Sequence, residues 1–252
     1  MRDTLRGKTA LVTGGATRIG RELCLALAEN GANVVIHQRR GDDQGSELAA
    51  ALTGRGVDAW RVEADFEKPD EYESLIARAA AQAGRLDMLI NSAAIFPAGA
   101  LEDVTLPDVH RAMQVNAWVP FVLSRDFARL AGKGKIINLL DTRISGYDWT
   151  HAAYILSKHA LALLTRMSAL RFAPAVAVNA IAPGLILPPA GKGGDYLDAL
   201  AGTVPLQRHG APRDVAQAAM YLLRSEFVTG QVIYVDGGMH LAEGSHGPHP
   251  HQ

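Results

Sequence analysis

The 252-residue sequence is short of cysteine: Cys24 is its single thiol. One cysteine excludes an intramolecular disulfide and a cysteine-built metal cluster. Cys24 falls in an apolar helical pattern and reads as a small buried hydrophobe. An excess of charge is also missing. Lys and Arg number 25 against 26 Asp and Glu, a formal net charge of −1. That balance gives no electrostatic basis for binding nucleic acid or an anionic membrane. No apolar run approaches the ~20 residues that a membrane-spanning helix needs. The N-terminus, M-R-D-T-L-R-G-K, has no apolar core of a signal peptide, so a cytoplasmic location is the default expectation. What is present is ordinary globular material, 48 % hydrophobic and 20 % charged, enough for a large core.

Apolar strand patterns alternate with helical ones along the chain. Lys8 to Thr13 reads as a strand, Thr13 to Gly20 (T-G-G-A-T-R-I-G) as a turn, and Arg18 to Asn30 as an amphipathic helix, with Gly31 at its C-cap position. Asn33 to Ile36 is a second strand, which completes a βαβ unit. Further strands are expected over Ala59 to Val62, Leu86 to Ile90, Ile136 to Leu140, Val176 to Ile181 and Val232 to Val235. Helices are expected over Asp42 to Thr53, Pro69 to Ala83, Pro107 to Leu130, Ala152 to Phe172 and Pro212 to Leu223. Seven strands with intervening helices imply an α/β protein with one Rossmann-type, doubly wound, mainly parallel sheet. Residues 1–241 read as one domain. The tail, residues 242–252, carries three histidines and two prolines and reads as a disordered terminus without a built metal site. Ala182 to Gly194 is rich in Gly and Pro; it reads equally as a ligand-covering loop or a plain surface loop.

Tyr154 and Lys158 stand four residues apart on one helix, and therefore on one face. A neighbouring cation lowers a phenol's pKa, which would make Tyr154 an acid–base group near neutral pH. Asp141 follows a strand, at the carboxyl end where open α/β sheets bind ligands. Taken alone, the Tyr and Lys fit a solvated helical face as well.

The motifs in order carry more. T-G-G-A-T-R-I-G, then N-S-A from Asn91, then Asn116, Tyr154 with Lys158, Pro183–Gly184 and the terminal V-D-G-G containing Asp236 resemble the short-chain dehydrogenase/reductase family over about Lys8 to His240. Two departures sharpen the resemblance. Arg18 replaces a motif glycine, and Asp141 replaces the usual Ser thirteen residues before the Tyr. Both are similar to the pteridine and dihydromonapterin reductases of that family. The run H-Q-R-R from His37 is similar to the end of their second strand, and Phe96 falls where they place an aromatic against the pterin.

The resemblance implies an NADPH-dependent reductase of the C=N bond of a dihydropterin. Its implied catalytic residues are Asp141, Tyr154, Lys158 and Asn116, with Lys158 depressing the Tyr154 pKa and Asn116 linked to Lys158 through backbone or water. Gly14, Arg18, Ile19 and Gly20 would serve the cofactor's phosphates, and His37, Arg39 and Arg40 its 2′-phosphate. Asp65 and Phe66 would lie at the adenine; Asn91, Ala93, Lys158, Pro183 and Gly184 would complete the cofactor site. Arg18, Phe96, Asp141, Tyr154 and Leu185 would face substrate. A homotetramer is the family expectation. A ketone or 3-oxoacyl thioester reductase is the second reading, supported by P-L-Q-R-H-G-A-P-R-D-V-A from Pro205. A non-catalytic NADPH sensor is the third, and such a protein has no need of Tyr154.

Overall fold

The computed structural model describes residues 5–41, 43–189 and 191–242. The expected tail lies almost wholly outside them, as does Asp42. Seven strands form one sheet: β1 (Thr9–Val12), β2 (Asn33–Gln38), β3 (Ala59–Glu63), β4 (Met88–Asn91), β5 (Gly134–Leu139), β6 (Val176–Pro183) and β7 (Val232–Val235). Their order is β3-β2-β1-β4-β5-β6-β7, and every pairing is parallel. The order reverses at β1, so the crevice between the ends of β1 and β4 is the switch point where such sheets bind ligands.

Alternate residues of each strand serve opposite faces. Ala10, Val12, Val34, Ile36, Met88 and Ile90 pack on one side of the sheet. Leu11, Val35, Leu89 and Ile136 pack on the other. The first side is covered by α1 (Arg18–Glu29), α2 (Asp43–Thr53) and α9 (Pro212–Arg224). The second is covered by α4 (Leu75–Ala83), α6 (Val119–Ala131) and α7 (Ala152–Phe172). Both faces are buried, which explains the unbroken apolar runs in the strands.

Two expected helices are interrupted. Pro69 to Ala83 divides into α3 (Pro69–Glu73) and α4, with the Ser74 hydroxyl bonded back to the carbonyls of Asp70 and Glu71 at the break. Pro107 to Leu130 divides into α5 (Leu106–Met113), a π-helical turn (Gln114–Trp118) and α6. Pro120 has no N–H to give the carbonyl four residues before it. The chain passes over that gap with a wider bond, from the Val119 N–H to the Gln114 carbonyl. π-turns collect at functional sites, and this one contains Asn116. A short helix that the sequence reading lacks, α8 (Asp195–Ala201), follows the Gly/Pro-rich loop. Among the described residues no helix is long and apolar enough to cross a membrane.

Candidate active site at the carboxyl ends of β1, β4 and β5

The turn after β1 is shaped by absent side chains. Gly14 has a φ of +62°, and a Cβ there would meet the Ala93 backbone at 3.0 Å. A Cβ on Gly20 would stand 2.1 Å from the Gly14 carbonyl oxygen. Helix α1 therefore approaches the turn as closely as backbone allows. Its N-terminus has no side-chain cap and no acid in the first turn, which leaves N–H donors for an anion. Arg18 enters this turn with φ +52°, and its guanidinium donates to the Pro188 carbonyl at 2.8 Å. Ile19 is half-buried against the core. Thr13 fastens the turn to the segment after β4: its hydroxyl accepts from the N–H groups of Ser92 and Ala93 at 2.9 and 3.0 Å.

His37, at the end of β2, is turned into the chain. It is buried and stacked on Phe66 with ring centroids 4.6 Å apart. Its Nδ1 accepts the Gly14 N–H at 3.1 Å, and its Nε2 bonds the Ala64 carbonyl at 3.0 Å. Both ring nitrogens are used within the chain, so His37 props the turn after β1. Burial lowers its pKa to about 4, so the ring is neutral and Nδ1 can accept. Gln38, next along, is buried with neither amide atom bonded to a partner. Arg39 and Arg40 are exposed at the end of β2; Arg40 stands 3.8 Å from Asp65 and 3.9 Å from Glu71. The Asp65 carboxylate accepts the Glu67 N–H at 3.1 Å.

Asn91 is also engaged within the chain, though its Oδ1 is buried without a partner. Its Nδ2 is turned into a buried network, facing the Pro120 carbonyl at 3.2 Å, Ser124 Oγ at 3.1 Å and Asn138 Oδ1 at 2.8 Å. This ties β4 to β5 and α6. Asn116 brackets the loop after β4 by accepting from the Ile95 N–H and donating to its carbonyl, both at 2.9 Å. Its amide also reaches Ser157 Oγ at 3.1 Å. Its bonds thus go to Ile95 and Ser157 on either side, with none directly to Lys158.

Asp141, Tyr154 and Lys158 converge. The Tyr154 hydroxyl donates to Asp141 Oδ2 at 2.8 Å. Asp141 Oδ1 accepts the Arg143 N–H at 2.9 Å, which caps a 3-10 turn over Thr142–Ser145. Lys158 Nζ donates to the Leu139 carbonyl at 2.7 Å and lies 5.7 Å from the Tyr154 ring centre. Burial, then the Asp141 charge and hydrogen bond, push the Tyr154 pKa well above its usual value. The expected depression by Lys158 is thus overturned: the nearest charge to the phenol oxygen is a carboxylate. Burial lowers Lys158 to about 8, against a smaller upward pull from Asp141. Tyr154 is accordingly held in its protonated form.

The V-D-G-G motif reaches the same place. Asp236 accepts from the Thr142 hydroxyl and from the N–H groups of Gly238 and His240 at 3.0 and 2.8 Å. A Cβ on Gly184 would fall 2.5 Å from Asp236 Cβ, and the Gly184 N–H bonds the Val235 carbonyl at 3.0 Å. Pro183 ends β6 and the Leu185 carbonyl accepts from Gly210 N–H at 2.9 Å, so this stretch is pinned beside the site. Phe96 is 40 % exposed and meets the Tyr154 ring edge-on at 4.6 Å. Sequence reasoning passed over Arg143, Asp148 and His151, which gather next to Phe96. Their signal was the charged residues crowded between Asp141 and Tyr154.

Residues 14–240 match the family described as enoyl-(acyl carrier protein) reductase. The chain belongs to the short-chain dehydrogenase/reductase family. Its members are nicotinamide-dependent oxidoreductases, and so is this protein. Its fold is similar to that of FolM alternative dihydrofolate reductase 1 from Brucella suis, solved in complex with NADP: 31 % identity, TM-score 0.90, 95 % of this chain and 97 % of that one. The sequence is 34 % identical to a 3beta-hydroxysteroid dehydrogenase 1 from Eggerthella lenta, covering 97 % of this chain and 98 % of that one. It is 30 % identical to the 3-oxoacyl-[acyl-carrier-protein] reductase FabG of Staphylococcus epidermidis, covering 93 % and 99 %.

The neutral His37 gives a pH prediction. Its native pKa of about 4 lies below the ordinary 6.5, so the unfolded chain binds the proton first. Its contribution is intact above pH 6.5 and is lost as pH falls from 6.5 toward 4, to a total of about 3 kcal/mol. Denaturant unfolding across that window should show a shallower decline in a His37→Phe variant than in the wild type. Identical slopes would show that His37 is not held neutral.

Proposed function

We propose that the protein is an NADPH-dependent reductase of the C=N bond of a dihydropterin. The observation that carries this reading is the Tyr154–Asp141 bond: a carboxylate stands where ketone chemistry needs a neutral donor. A developing alkoxide would be repelled there. A pterin offers Asp141 hydrogen-bond donors on its 2-amino group and ring nitrogens, and its reduction places a proton on nitrogen. The FolM likeness supports the same reading.

The turn after β1 fits a dinucleotide, because Gly14 and Gly20 leave room and the start of α1 leaves free donors. Arg39 and Arg40 suit the 2′-phosphate, and Gln38 places a neutral amide at a strand end where an NAD site wants an acid. When bound, the nicotinamide supplies the hydride to a ring carbon. Tyr154, sharing its proton with Asp141, supplies the proton to the adjacent ring nitrogen, so one C=N becomes CH–NH. Lys158 holds the β5 end and the ribose side of the site. Phe96 forms a wall for the flat ring, where stacking fixes orientation as well as area.

A ketone or 3-oxoacyl thioester reductase is the second reading, favoured by the likeness to FabG. NADPH oxidation with a dihydropterin against an acetoacetyl thioester separates the two. Asp141→Ser should cut dihydropterin turnover more than ~10-fold, about 1.4 kcal/mol of barrier, with NADPH affinity little changed. Removing that carboxylate also lowers the phenol's pKa, so the alkaline limb of the pH–rate profile should move down. Full pterin activity in the variant would transfer the assignment to the ketone reading.

Arg39→Ala with Arg40→Ala should weaken NADPH far more than NADH in a direct binding titration; equal losses sink the 2′-phosphate assignment. The outer face of α7 exposes Leu156, Leu163, Met167 and Leu170, a helical stripe that the fold leaves uncovered. A homotetramer with two-fold axes would cover it. Light scattering at micromolar concentration is expected to show that tetramer, and a monomer refutes it.

A further inference from the structure

Asp148 lies in the loop between β5 and α7 and takes no part in the steps above. It is 6 % exposed, yet it carries a full set of bonds. Its Oδ2 accepts from Arg143 Nη1 at 2.7 Å and faces His151 Nδ1 at 3.1 Å. Its Oδ1 accepts the Thr150 N–H and hydroxyl, each at 2.8 Å. Burial alone would raise its pKa; the bonds from His151 and Thr150 and the Arg143 charge more than offset this and lower it.

Both bases that Asp148 holds lie on Phe96. The His151 ring stacks on it, with centroids 4.0 Å apart and planes 14° from parallel. The Arg143 guanidinium carbon lies over the same ring, 5.0 Å from its centre. Phe96 in turn meets Tyr154 edge-on, with planes at 88°. The segment is also paired by backbone: Gly99 N–H bonds the Thr150 carbonyl, Leu101 N–H the Trp149 carbonyl and Ala152 N–H the Gly99 carbonyl, at 2.8, 3.0 and 3.1 Å. That pairing already closes the loop. A buried carboxylate is not needed to close it and is costly to desolvate. What Asp148 adds is a fixed guanidinium and a fixed imidazole against a half-exposed aromatic. Arg143 extends the effect to the reacting carboxylate, since its backbone N–H bonds Asp141 and its Nε stands 3.8 Å from Asp141 Oδ1.

We propose that Asp148 is a positioning residue for substrate discrimination. Through Arg143 and His151 it holds Phe96 edge-on to Tyr154, and so sets the width of a slot suited to a flat heteroaromatic ring. The flatness of the substrate rests on the dihydropterin reading; the bracket itself rests on contacts within the chain.

Steady-state kinetics with 7,8-dihydrobiopterin and NADPH test it, alongside NADPH binding and melting temperature. Asp148→Asn and His151→Ala should each raise the dihydropterin KM by about tenfold or more, with a much smaller fall in kcat and unchanged NADPH affinity. His151→Phe keeps a ring against Phe96 and should restore most of the KM. Arg143→Gln gives an independent arm should Asp148→Asn fold poorly. An unchanged KM overturns the proposal. So does a joint loss of melting temperature, NADPH affinity and kcat that His151→Phe fails to rescue, because that pattern marks a purely structural loop. If the wild type turns over acetoacetyl thioester and no dihydropterin, the substrate reading falls. The bracket is then judged on the thioester KM, and equality between wild type and Asp148→Asn overturns it.

Discussion

The hydrogen bond from Tyr154 to Asp141 governs the organisation of this site. It joins the end of β5 to the first turn of α7, and it sets where a proton can be kept. A phenol facing a carboxylate in a buried setting resists ionisation, because burial and the neighbouring negative charge act in the same direction. Lys158 does not reverse this: its ammonium donates to the Leu139 carbonyl and not to the phenol oxygen. The proton of the phenol therefore lies between the two residues, donated by Tyr154 to Asp141. Everything around it fixes the carboxylate in place. The Arg143 N–H holds one oxygen, and Asp236 anchors the neighbouring Thr142 from the far end of the chain.

That last contact explains why a motif near the C-terminus belongs to a site built mostly from the middle of the sequence. Asp236 follows β7, the strand beside β6, and β6 pairs with β5. Neighbouring strand ends lie close together, so their loops meet. Asp236 is buried with a lowered pKa; burial works against this, and the bonds from Thr142, His240 and Gly238 outweigh it. A carboxylate so satisfied is a rigid brace for the Thr142 turn.

Strand positions were legible because both sheet faces are buried, and apolar runs such as V-V-I and K-I-I-N-L-L have few other uses. The Asp141, Tyr154 and Lys158 convergence was legible because strand ends and helical spacing restrict where side chains go. The interruption at Pro120 was also written in the sequence, though an amphipathic pattern running through it suggested one helix. Side-chain direction was harder. His37 and Asn91 carry polar atoms that suit a ligand equally well, and local pattern does not say that one props a glycine turn and the other cross-braces two strands. The Asp148 cluster was invisible for a related reason: it depends on a loop of residues 96–101 folding back beside residues 149–152, a pairing with no periodic signal.

The cofactor end and the substrate end are tuned by different means. At the turn after β1 the means is backbone. Arg18 sits at φ +52°, a conformation costing of order 1 kcal/mol or more for a residue with a side chain. Glycine would remove that cost, so the guanidinium must return something at the site. Its bond to the Pro188 carbonyl shows how: it spans from the turn after β1 to the loop after β6, whose strands stand apart in the sheet with β4 and β5 between them. At the substrate end the means is charge. Asp141, Arg143, Asp148 and Lys158 gather around Tyr154: Arg143 pairs with Asp148 at 2.7 Å and stands 3.8 Å from Asp141, and Lys158 lies 5.7 Å from the Tyr154 ring centre. A site of near-zero net charge but strong local fields does not draw in anions or cations as such. Such a field suits the neutral ring, with donors and acceptors around it, of the proposed reading. Arg18, by contrast, is exposed at the turn after β1, where the proposed reading puts the cofactor's phosphates, while the charges beside Tyr154 answer one another.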